Sequence, residues 1–170
     1  MVESSDASPL ERFCVLFAGG GVEFMVVGGQ AEVLLGGARV TYDVDLCYRR
    51  TSENLRRLAT ALGALNLTLR GAPPELKFRL DAEALALGMN YTFEVDGEYA
   101  LDLLGYLEPI GGYEELLPHA ERLEIAGRPV LVIGLDDLIR IKRYLGRPKD
   151  RESLLQLEAI KRLREEEGLR

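Results

Sequence analysis

The sequence predicts an α/β (α+β) fold, in which a mixed β-sheet is flanked by helices and followed by C-terminal helices. Short apolar runs typical of buried strands alternate with helical segments in the first third of the chain. Turn signals typical of β-hairpins follow in the second half. The 170 residues, 47% of them hydrophobic, have the length of one domain. We therefore expect a single domain, with a core over about residues 9–133 and a helical segment over about 134–170.

Each element in the first third of the chain has its own signal. Ser8 before Pro9 is a typical helix start, with the serine as N-cap and the proline at the first helical position. Gly28 and Gly29 predict a tight turn between a strand and a helix. Thr51 or Ser52 is the expected cap of the next helix. In chain order we predict a helix from residue 9, a strand at 23–27, a helix at 30–35, a strand at 44–48 and a helix from 51 or 52.

Hairpin signals dominate the rest of the chain. Asp96-Gly97 and Ala126-Gly127 each separate two apolar runs, which predicts a two-residue turn. A glycine- and proline-rich stretch at 71–75 predicts a loop, and Asp150 is the expected N-cap of the last helix. We predict strands at 67–70, 90–95, 98–104, 122–125 and 129–133, and helices at 113–120, 135–145 and about 150–167.

The composition excludes several classes of protein. Cys14 and Cys47 are too few for a disulfide framework or a four-cysteine zinc site, and we expect both in the core. His119, the single histidine, excludes a histidine-rich metal centre and is expected in a loop. The net charge of −7 argues against a protein that coats nucleic acid through its overall charge. The acidic N-terminus does not resemble a targeting segment, and no apolar run reaches the ~18 residues of a membrane span. We expect a cytoplasmic protein without a membrane partner.

Two acidic residues lie two positions apart in the second predicted strand. Residues i and i+2 of a strand project to the same face, so Asp43 and Asp45 lie side by side while Val44 and Leu46 point into the core. Adjacent carboxylates repel one another unless a cation lies between them. Mg²⁺ prefers carboxylate oxygens together with the phosphates of a substrate. The two aspartates therefore indicate a metal site.

The preceding Gly28 and Gly29 indicate a place for phosphate. Because these residues have no side chains, their backbone can approach a ligand closely. They also precede a predicted helix, whose first N–H groups favour an anion. An anion site beside a carboxylate metal site is the arrangement that a metal-bound nucleoside triphosphate needs.

The spacing of these residues resembles the signature of the DNA polymerase β-like nucleotidyltransferase superfamily. An apolar residue and Gly28-Gly29 are followed, after thirteen residues, by Asp43-Val44-Asp45-Leu46. Members have a third carboxylate on a neighbouring strand, and Asp102, a lone acid in an apolar run, matches it. The resemblance implies a nucleotidyltransferase fold. It also implies Mg²⁺- or Mn²⁺-dependent transfer of a nucleoside monophosphate from an NTP to an acceptor hydroxyl, with release of pyrophosphate. Asp43, Asp45 and Asp102 would be the catalytic and metal-binding residues.

A second set of residues is similar to a branch of this superfamily, the AbiEii-type toxins of type IV toxin–antitoxin systems. The resemblance implies that these residues, together with Gly28 and Gly29, bind the nucleotide and its phosphates. It also implies an antitoxin protein as an alternative partner. Many members of the superfamily have a serine where this chain has Gly29, which leaves open how strongly the phosphate is held. The residues of the second set are Arg39, Thr41, Lys142, Arg147, Lys149 and Asp150.

Positive charge is concentrated near the C-terminus. Residues 138–151 contain six basic residues and one acidic residue, a local charge of +5 in a protein whose net charge is −7. Such a segment attracts a triphosphate or the backbone of a nucleic acid. The other interpretation is that Lys142, Arg147 and Lys149 form a solvated helix face.

Two other functions stay open as alternatives. A non-catalytic module with the same fold could act through a protein partner, for instance within a toxin–antitoxin complex. A sugar-nucleotide glycosyltransferase could use Asp43-Val44-Asp45 as its metal-binding residues, but those enzymes are usually longer and lack a Gly-Gly turn at this distance. The acceptor is also open, since a tRNA, a protein side chain and a small molecule all remain candidates.

Overall fold

A seven-stranded mixed β-sheet forms the centre of the part of the chain that the computed structural model describes, residues 6–73 and 80–168. The strands are β1 (Phe24–Val27), β2 (Val44–Tyr48), β3 (Leu67–Leu69), β4 (Asn90–Val95), β5 (Tyr99–Leu104), β6 (Glu121–Ile125) and β7 (Arg128–Val132). Their order across the sheet is β3-β4-β5-β2-β1-β7-β6. β2 runs parallel to β5, and β1 parallel to β7, whereas the other neighbours are antiparallel. The mixed sheet confirms the predicted fold class.

Helices are interspersed with the strands along the described parts of the chain. They are α1 (Pro9–Gly19), α2 (Gly28–Leu34), α3 (Ser52–Leu62), α4 (Ala82–Leu87), α5 (Tyr113–Leu116), α6 (Leu135–Leu145) and α7 (Pro148–Glu166), and a 3₁₀ turn at Leu117–His119 follows α5. α1 packs against α3, and α6 against α7. No helix in the described parts of the chain is long and apolar enough to cross a membrane.

The two faces of β5 have different surroundings, and this difference places the site. The ring of Phe13 on α1 lies edge-on to Tyr99, with the ring centroids 6.0 Å apart. Because side chains alternate along a strand, Leu101 and Leu103 share the face of Tyr99, and both are fully buried. Asp102 lies on the opposite face, away from α1.

The core confirms the predictions made for the apolar runs. All four residues of β1, the strand between β2 and β7, are buried, which explains their lack of alternation. Val44 and Leu46 of β2 are fully buried, as predicted. Cys14 and Cys47 are also buried and unpaired, and burial raises the pKa of both thiols.

Both predicted hairpin turns are present. Asp96 and Gly97, between β4 and β5, have φ angles of 53° and 69°. Ala126 and Gly127, between β6 and β7, have φ angles of 52° and 75°. Two successive residues with positive φ form the turn whose twist matches that of the flanking strands. The predicted start of α1 is also confirmed, since the Ser8 hydroxyl accepts a hydrogen bond from the Glu11 N–H at 3.2 Å.

Two local predictions were wrong, and one helix was missed. Gly28 and Gly29 do not form a turn before a helix that starts at residue 30, because they are themselves the first residues of α2. Asp150 is not the N-cap of the last helix: α7 begins at Pro148, and Arg147 is its N-cap. Helix α4 was not predicted, although Asp81 caps it by accepting a hydrogen bond from the Ala84 N–H at 2.8 Å. In the predicted loop at 71–75, residues 74 and 75 lie outside the described residues.

Candidate active site

Asp45 and Asp102 face each other across the parallel strands β2 and β5. They are direct register partners, so their side chains leave the same face of the sheet. Burial raises the pKa of Asp45 to about 7, and a hydrogen bond to Asp102 and the charges of Asp102 and Asp43 act in the same direction. Two carboxyl groups can form a hydrogen bond only when one of them carries a proton. We call Asp45 and Asp102 the carboxylate pair.

Thr92 orients the second member of the carboxylate pair. It lies on β4 directly opposite Asp102, and its hydroxyl donates a hydrogen bond of 2.5 Å to Asp102 Oδ1. Asp102 therefore has neighbours on both sides, Thr92 on one strand and Asp45 on the other. The sequence reasoning missed Thr92, although it is a polar residue in a predicted strand.

Asp43 lies just before β2 and is exposed. Its Oδ1 accepts a hydrogen bond from the Ala100 N–H at 3.0 Å, and its charge contributes to the raised pKa of Asp45. The loop that carries it is held from α2, because Gln30 Nε2 donates to the carbonyl oxygens of Thr41 and Asp43, both at 3.2 Å. Asp43 thus lies beside the carboxylate pair but is turned towards the start of β5.

The two glycines of the motif make room for these side chains. Gly28 has a φ angle of +65°, and a Cβ atom there would overlap the carboxylate of Asp45. Gly29 is buried, and a Cβ atom there would lie 3.1 Å from Thr41 Cγ2. Position 28 therefore accepts only glycine without a shift of Asp45, while a side chain at position 29 would press against Thr41.

The basic residues predicted to bind phosphate do not form a solvated helix face as a group. Lys142 is 4% exposed, and its Nζ lies 3.7 Å from Glu32 Oε2 and 3.5 Å from Asp150 Oδ1. Arg147 Nε lies 2.6 Å from Asp150 Oδ2, and Arg39 Nη1 lies 3.7 Å from Glu32 Oε2. We call Arg39, Glu32, Lys142, Asp150 and Arg147 the ionic chain, because cations and anions alternate along it.

Asp150 is a buried member of the ionic chain and lies between Lys142 and Arg147. It is fully buried, and it accepts hydrogen bonds from the backbone N–H and the guanidinium of Arg147. Burial alone would raise the pKa of Asp150, but the hydrogen bonds from Arg147 and the charge of Lys142 hold it below its ordinary value. As the third residue of α7, Asp150 thus closes the helix start by binding back to Arg147.

The ionic chain reaches the carboxylate pair through two of its cations. The charge of Lys142 lowers the pKa of Asp45, and Asp45 contributes to the raised pKa of Arg147. Lys149, by contrast, is exposed on the first turn of α7. Gly28 therefore lies directly against Asp45, the charges of Lys142 and Arg147 act on Asp45 from the ionic chain, and Lys149 lies at the surface.

Sequence reasoning also missed Glu32, which is 1% exposed on α2. The only signal was an acidic residue between Ala31 and Val33 in a helix otherwise rich in apolar residues. Such a pattern is equally typical of a solvated position, so burial could not be predicted from it.

The donor atoms of the carboxylate pair suit a divalent cation. Carboxylate oxygens are the ligands that Mg²⁺ and Mn²⁺ prefer, and a cation would relieve the repulsion within a partly buried pair. Within residues 6–73 and 80–168, no three Asp, Glu, His or Cys side chains converge in a group that could hold a metal ion. The hydrogen bond that turns Asp43 towards Ala100 is consistent with this absence.

Comparison with known proteins supports the fold. No family model and no curated protein matches the chain. Among solved structures, the lincomycin-bound lincosamide antibiotic adenylyltransferase LnuA is 14% identical, with 91% of this chain and 98% of that chain covered and a TM-score of 0.56. ANT(2'')-Ia in complex with adenylyl-2''-tobramycin is 19% identical, with 91% and 92% covered and a TM-score of 0.56. An antigenic nucleotidyltransferase-like protein from Paracoccidioides brasiliensis is 18% identical, with 86% and 72% covered and a TM-score of 0.52.

The mixed sheet places the chain among the α/β proteins, and within it two acidic side chains lie side by side on one face. The similarity to LnuA, ANT(2'')-Ia and the P. brasiliensis protein narrows this class to the nucleotidyltransferase fold. At these identities the similarity establishes the fold, as the sequence resemblance implies, and the activity is argued from the site.

Proposed function

We propose that this protein is a nucleotidyltransferase that moves a nucleoside monophosphate from an NTP to an acceptor hydroxyl. The observation that carries the proposal is the carboxylate pair: two acids in contact on neighbouring parallel strands, next to a side-chain-free residue and faced by two cations. Two like charges kept together at a cost in stability are typical of a functional site.

A divalent cation, Mg²⁺ or Mn²⁺, is the proposed cofactor. Asp43, Asp45 and Asp102 are the residues that would hold it. When bound, such an ion neutralises charge on the phosphates and stabilises the attacking and leaving oxygens of an in-line displacement. It would also offset the repulsion between the two acids of the carboxylate pair.

The chain's own residues have separate roles in the proposed reaction. Lys142 and Arg147 bind phosphate oxygens of the NTP, because they are the cations whose charges interact with Asp45. Asp102, oriented by Thr92, accepts the proton of the acceptor hydroxyl. The hydroxyl oxygen forms a bond to the α-phosphorus, the bond between that phosphorus and the bridging oxygen breaks, and pyrophosphate leaves.

The class of acceptor is proposed more broadly. LnuA and ANT(2'')-Ia are named for antibiotic acceptors, and this chain covers nearly all of each. A small hydroxylated molecule is therefore the first class of acceptor to test, and a tRNA or a protein side chain follows. The AbiEii-type assignment and an antitoxin partner remain predictions from the sequence.

Transfer of label tests the proposal. The protein is incubated with each NTP labelled at the α-phosphate or at the γ-phosphate, with Mg²⁺ and with lincomycin, tobramycin, total tRNA or cell extract. We expect label from the α-phosphate alone to reach an acceptor. Asp45→Asn and Asp102→Asn should lower the rate about a thousandfold, as loss of a group that stabilises transition-state charge does.

A variant outside the site shows whether the loss of transfer is specific to the carboxylate pair. Glu124 is exposed on β6, the edge strand at the far side of the sheet from β5, and Glu124→Gln should leave the rate unchanged. Transfer of the γ-phosphate, or full transfer by the Asp45→Asn/Asp102→Asn double variant, would contradict the proposal.

A non-catalytic module is the second candidate function, and one observation favours it. The described residues contain no group of three metal-binding side chains, and Asp43 is held towards Ala100. This alternative predicts nucleotide binding by calorimetry with no label transfer in any of the acceptor mixtures.

A further inference from the structure

The buried Glu32 side chain has one carboxylate oxygen without a hydrogen-bond partner among the described residues. The side chain is 1% exposed, and this oxygen is Oε2. Arg39 Nη1 and Lys142 Nζ each lie 3.7 Å from this oxygen, which is an ion pair but too long for a hydrogen bond. A buried carboxylate paired this loosely costs stability, and an apolar residue of similar size would avoid the cost. Folding alone therefore does not account for an acid at this position.

The neighbours of Glu32 connect it to the carboxylate pair. Lys142 lies between Glu32 and Asp150, and it is the cation whose charge is felt at Asp45. An ammonium group has three N–H donors. Glu32 and Asp150 are the two acidic partners of this ammonium group, at 3.7 and 3.5 Å, and together they account for two of its three donors.

Net charge gives a second argument. The ionic chain contains three cationic and two anionic side chains, so Glu32 lowers its net formal charge from +2 to +1. By charge alone, Glu32 weakens the attraction of this region for phosphate. If Glu32 supports phosphate binding, its charge is not the reason, because that charge reduces the attraction for phosphate. Glu32 must then act by fixing the position of a neighbouring cation.

We infer that Glu32 is a positioning residue, which holds the Lys142 ammonium opposite Asp150 at the place where it binds the phosphates of the nucleotide. The inference rests on the nucleotidyl transfer proposed above. It adds a residue of α2 to the site, and it makes the position of α6 relative to α2 a determinant of phosphate affinity.

The test uses inorganic tripolyphosphate as the probe, titrated into the full-length protein by calorimetry in EDTA, so that no metal ion contributes. Glu32→Gln keeps the size of the side chain and removes its charge. If Glu32 positions Lys142, this variant binds tripolyphosphate roughly tenfold more weakly, the loss expected for one charge-assisted hydrogen bond. A charge effect alone gives tighter binding, and a purely structural role gives unchanged affinity with a lower Tm. Either result overturns the inference.

A double-mutant cycle with Lys142→Met shows whether Glu32 acts through Lys142. The double variant should bind tripolyphosphate as Lys142→Met does, because Glu32 has nothing left to position. Additive losses overturn the inference. If Glu32→Gln does not fold, Glu32→Asp retains the charge but withdraws it by one methylene, and it should also weaken binding.

Asp137→Asn is the matched control. Asp137 is another buried carboxylate, 3% exposed on the first turn of α6, where it pairs with His119 and Arg140. This variant should lower Tm without changing tripolyphosphate affinity. Absence of binding by the unaltered protein in EDTA overturns the inference alone, because the proposed function uses a divalent cation and is decided by label transfer. Binding without label transfer overturns the proposed function alone, and Glu32→Gln then still decides the inference.

Discussion

The charges of the ionic chain act on Asp45 of the carboxylate pair, and the two regions arrange their charges in opposite ways. In the carboxylate pair, two acids lie side by side and the pKa of Asp45 rises to about 7. In the ionic chain, every anion lies between two cations or is clamped by one, and the pKa of Asp150 falls. Burial acts to raise the pKa of both acids, so the opposite outcome at Asp150 comes from its neighbours Arg147 and Lys142.

This difference in charge arrangement predicts that the two regions attract different ligands. In the ionic chain each acid is paired with cations, and a net formal charge of +1 remains for an anionic ligand. The carboxylate pair needs a proton or a cation to be stable. The carboxylate pair is therefore the region expected to attract a cation, and the ionic chain the region expected to attract phosphate.

The largest expected effect compares one acid from each region. At pH 8, Asp150→Asn should cost about 3 kcal/mol of unfolding free energy, because it leaves the buried Lys142 with Glu32 as its remaining anion and takes the anion away from Arg147. Asp45→Asn at the same pH should leave stability unchanged or raise it, because it removes a like charge beside Asp102. Urea denaturation of the two variants measures both values. Equal losses would show that the two regions do not differ as described.

The pH dependence of stability gives a smaller effect. The folded pKa of Asp45 is about 7, against 3.8 as its ordinary value, so between about pH 4 and pH 7 the folded protein holds a proton that the unfolded chain has lost. Stability from this group is therefore full below pH 4 and is lost as the pH rises through 7, with a slope of at most about 1.4 kcal/mol per pH unit. Tm measured across this range should fall less for Asp45→Asn than for the unaltered protein. Parallel curves would contradict the assignment.

Asp150 titrates with the opposite sign and in another window. Its lowered pKa gives stability that is present above its ordinary value of 3.8 and is lost as the pH falls through its folded value. The decline expected between pH 4 and 7 therefore comes from the carboxylate pair and not from the ionic chain.

The carboxylate pair could be located from the sequence because its signals are local. Strand periodicity predicted Asp43 and Asp45 on one face, and the resemblance to the nucleotidyltransferase superfamily implied their link to Gly28-Gly29 and the match of Asp102 to a third carboxylate. Strand β2 and helix α6 have the predicted bounds for the same reason, since their apolar patterns are continuous. What the sequence did not contain is the pairing of β2 with β5, which depends on contacts between distant residues.

The ionic chain could not be predicted because burial of charge depends on packing. Lys142 belongs to a basic segment that is equally typical of a solvated face, and only the approach of α2 to α6 shows that Glu32 covers it. Asp150 is different, since a local signal was available. Proline favours the first helical position, so Pro148 marks Arg147 as the N-cap and Asp150 as the third residue of the helix.

The smallest expected effect concerns Gly29, beneath the loop that carries Asp43. Gly29→Ser introduces the residue that many members of the resembled superfamily have, but its Cβ would lie 3.1 Å from Thr41 Cγ2. We expect a loss of about 1 kcal/mol in unfolding free energy, at the low end of the cost of overpacking. Thr41→Ser removes that methyl group, so the double variant Gly29→Ser/Thr41→Ser should recover most of the loss in urea denaturation. If the double variant stays as unstable as Gly29→Ser, the contact with Thr41 does not decide which residue position 29 accepts.

If stability recovers, the neighbouring Thr41 explains why position 29 is glycine. Calorimetry on the same double variant then shows whether the serine hydroxyl strengthens tripolyphosphate binding.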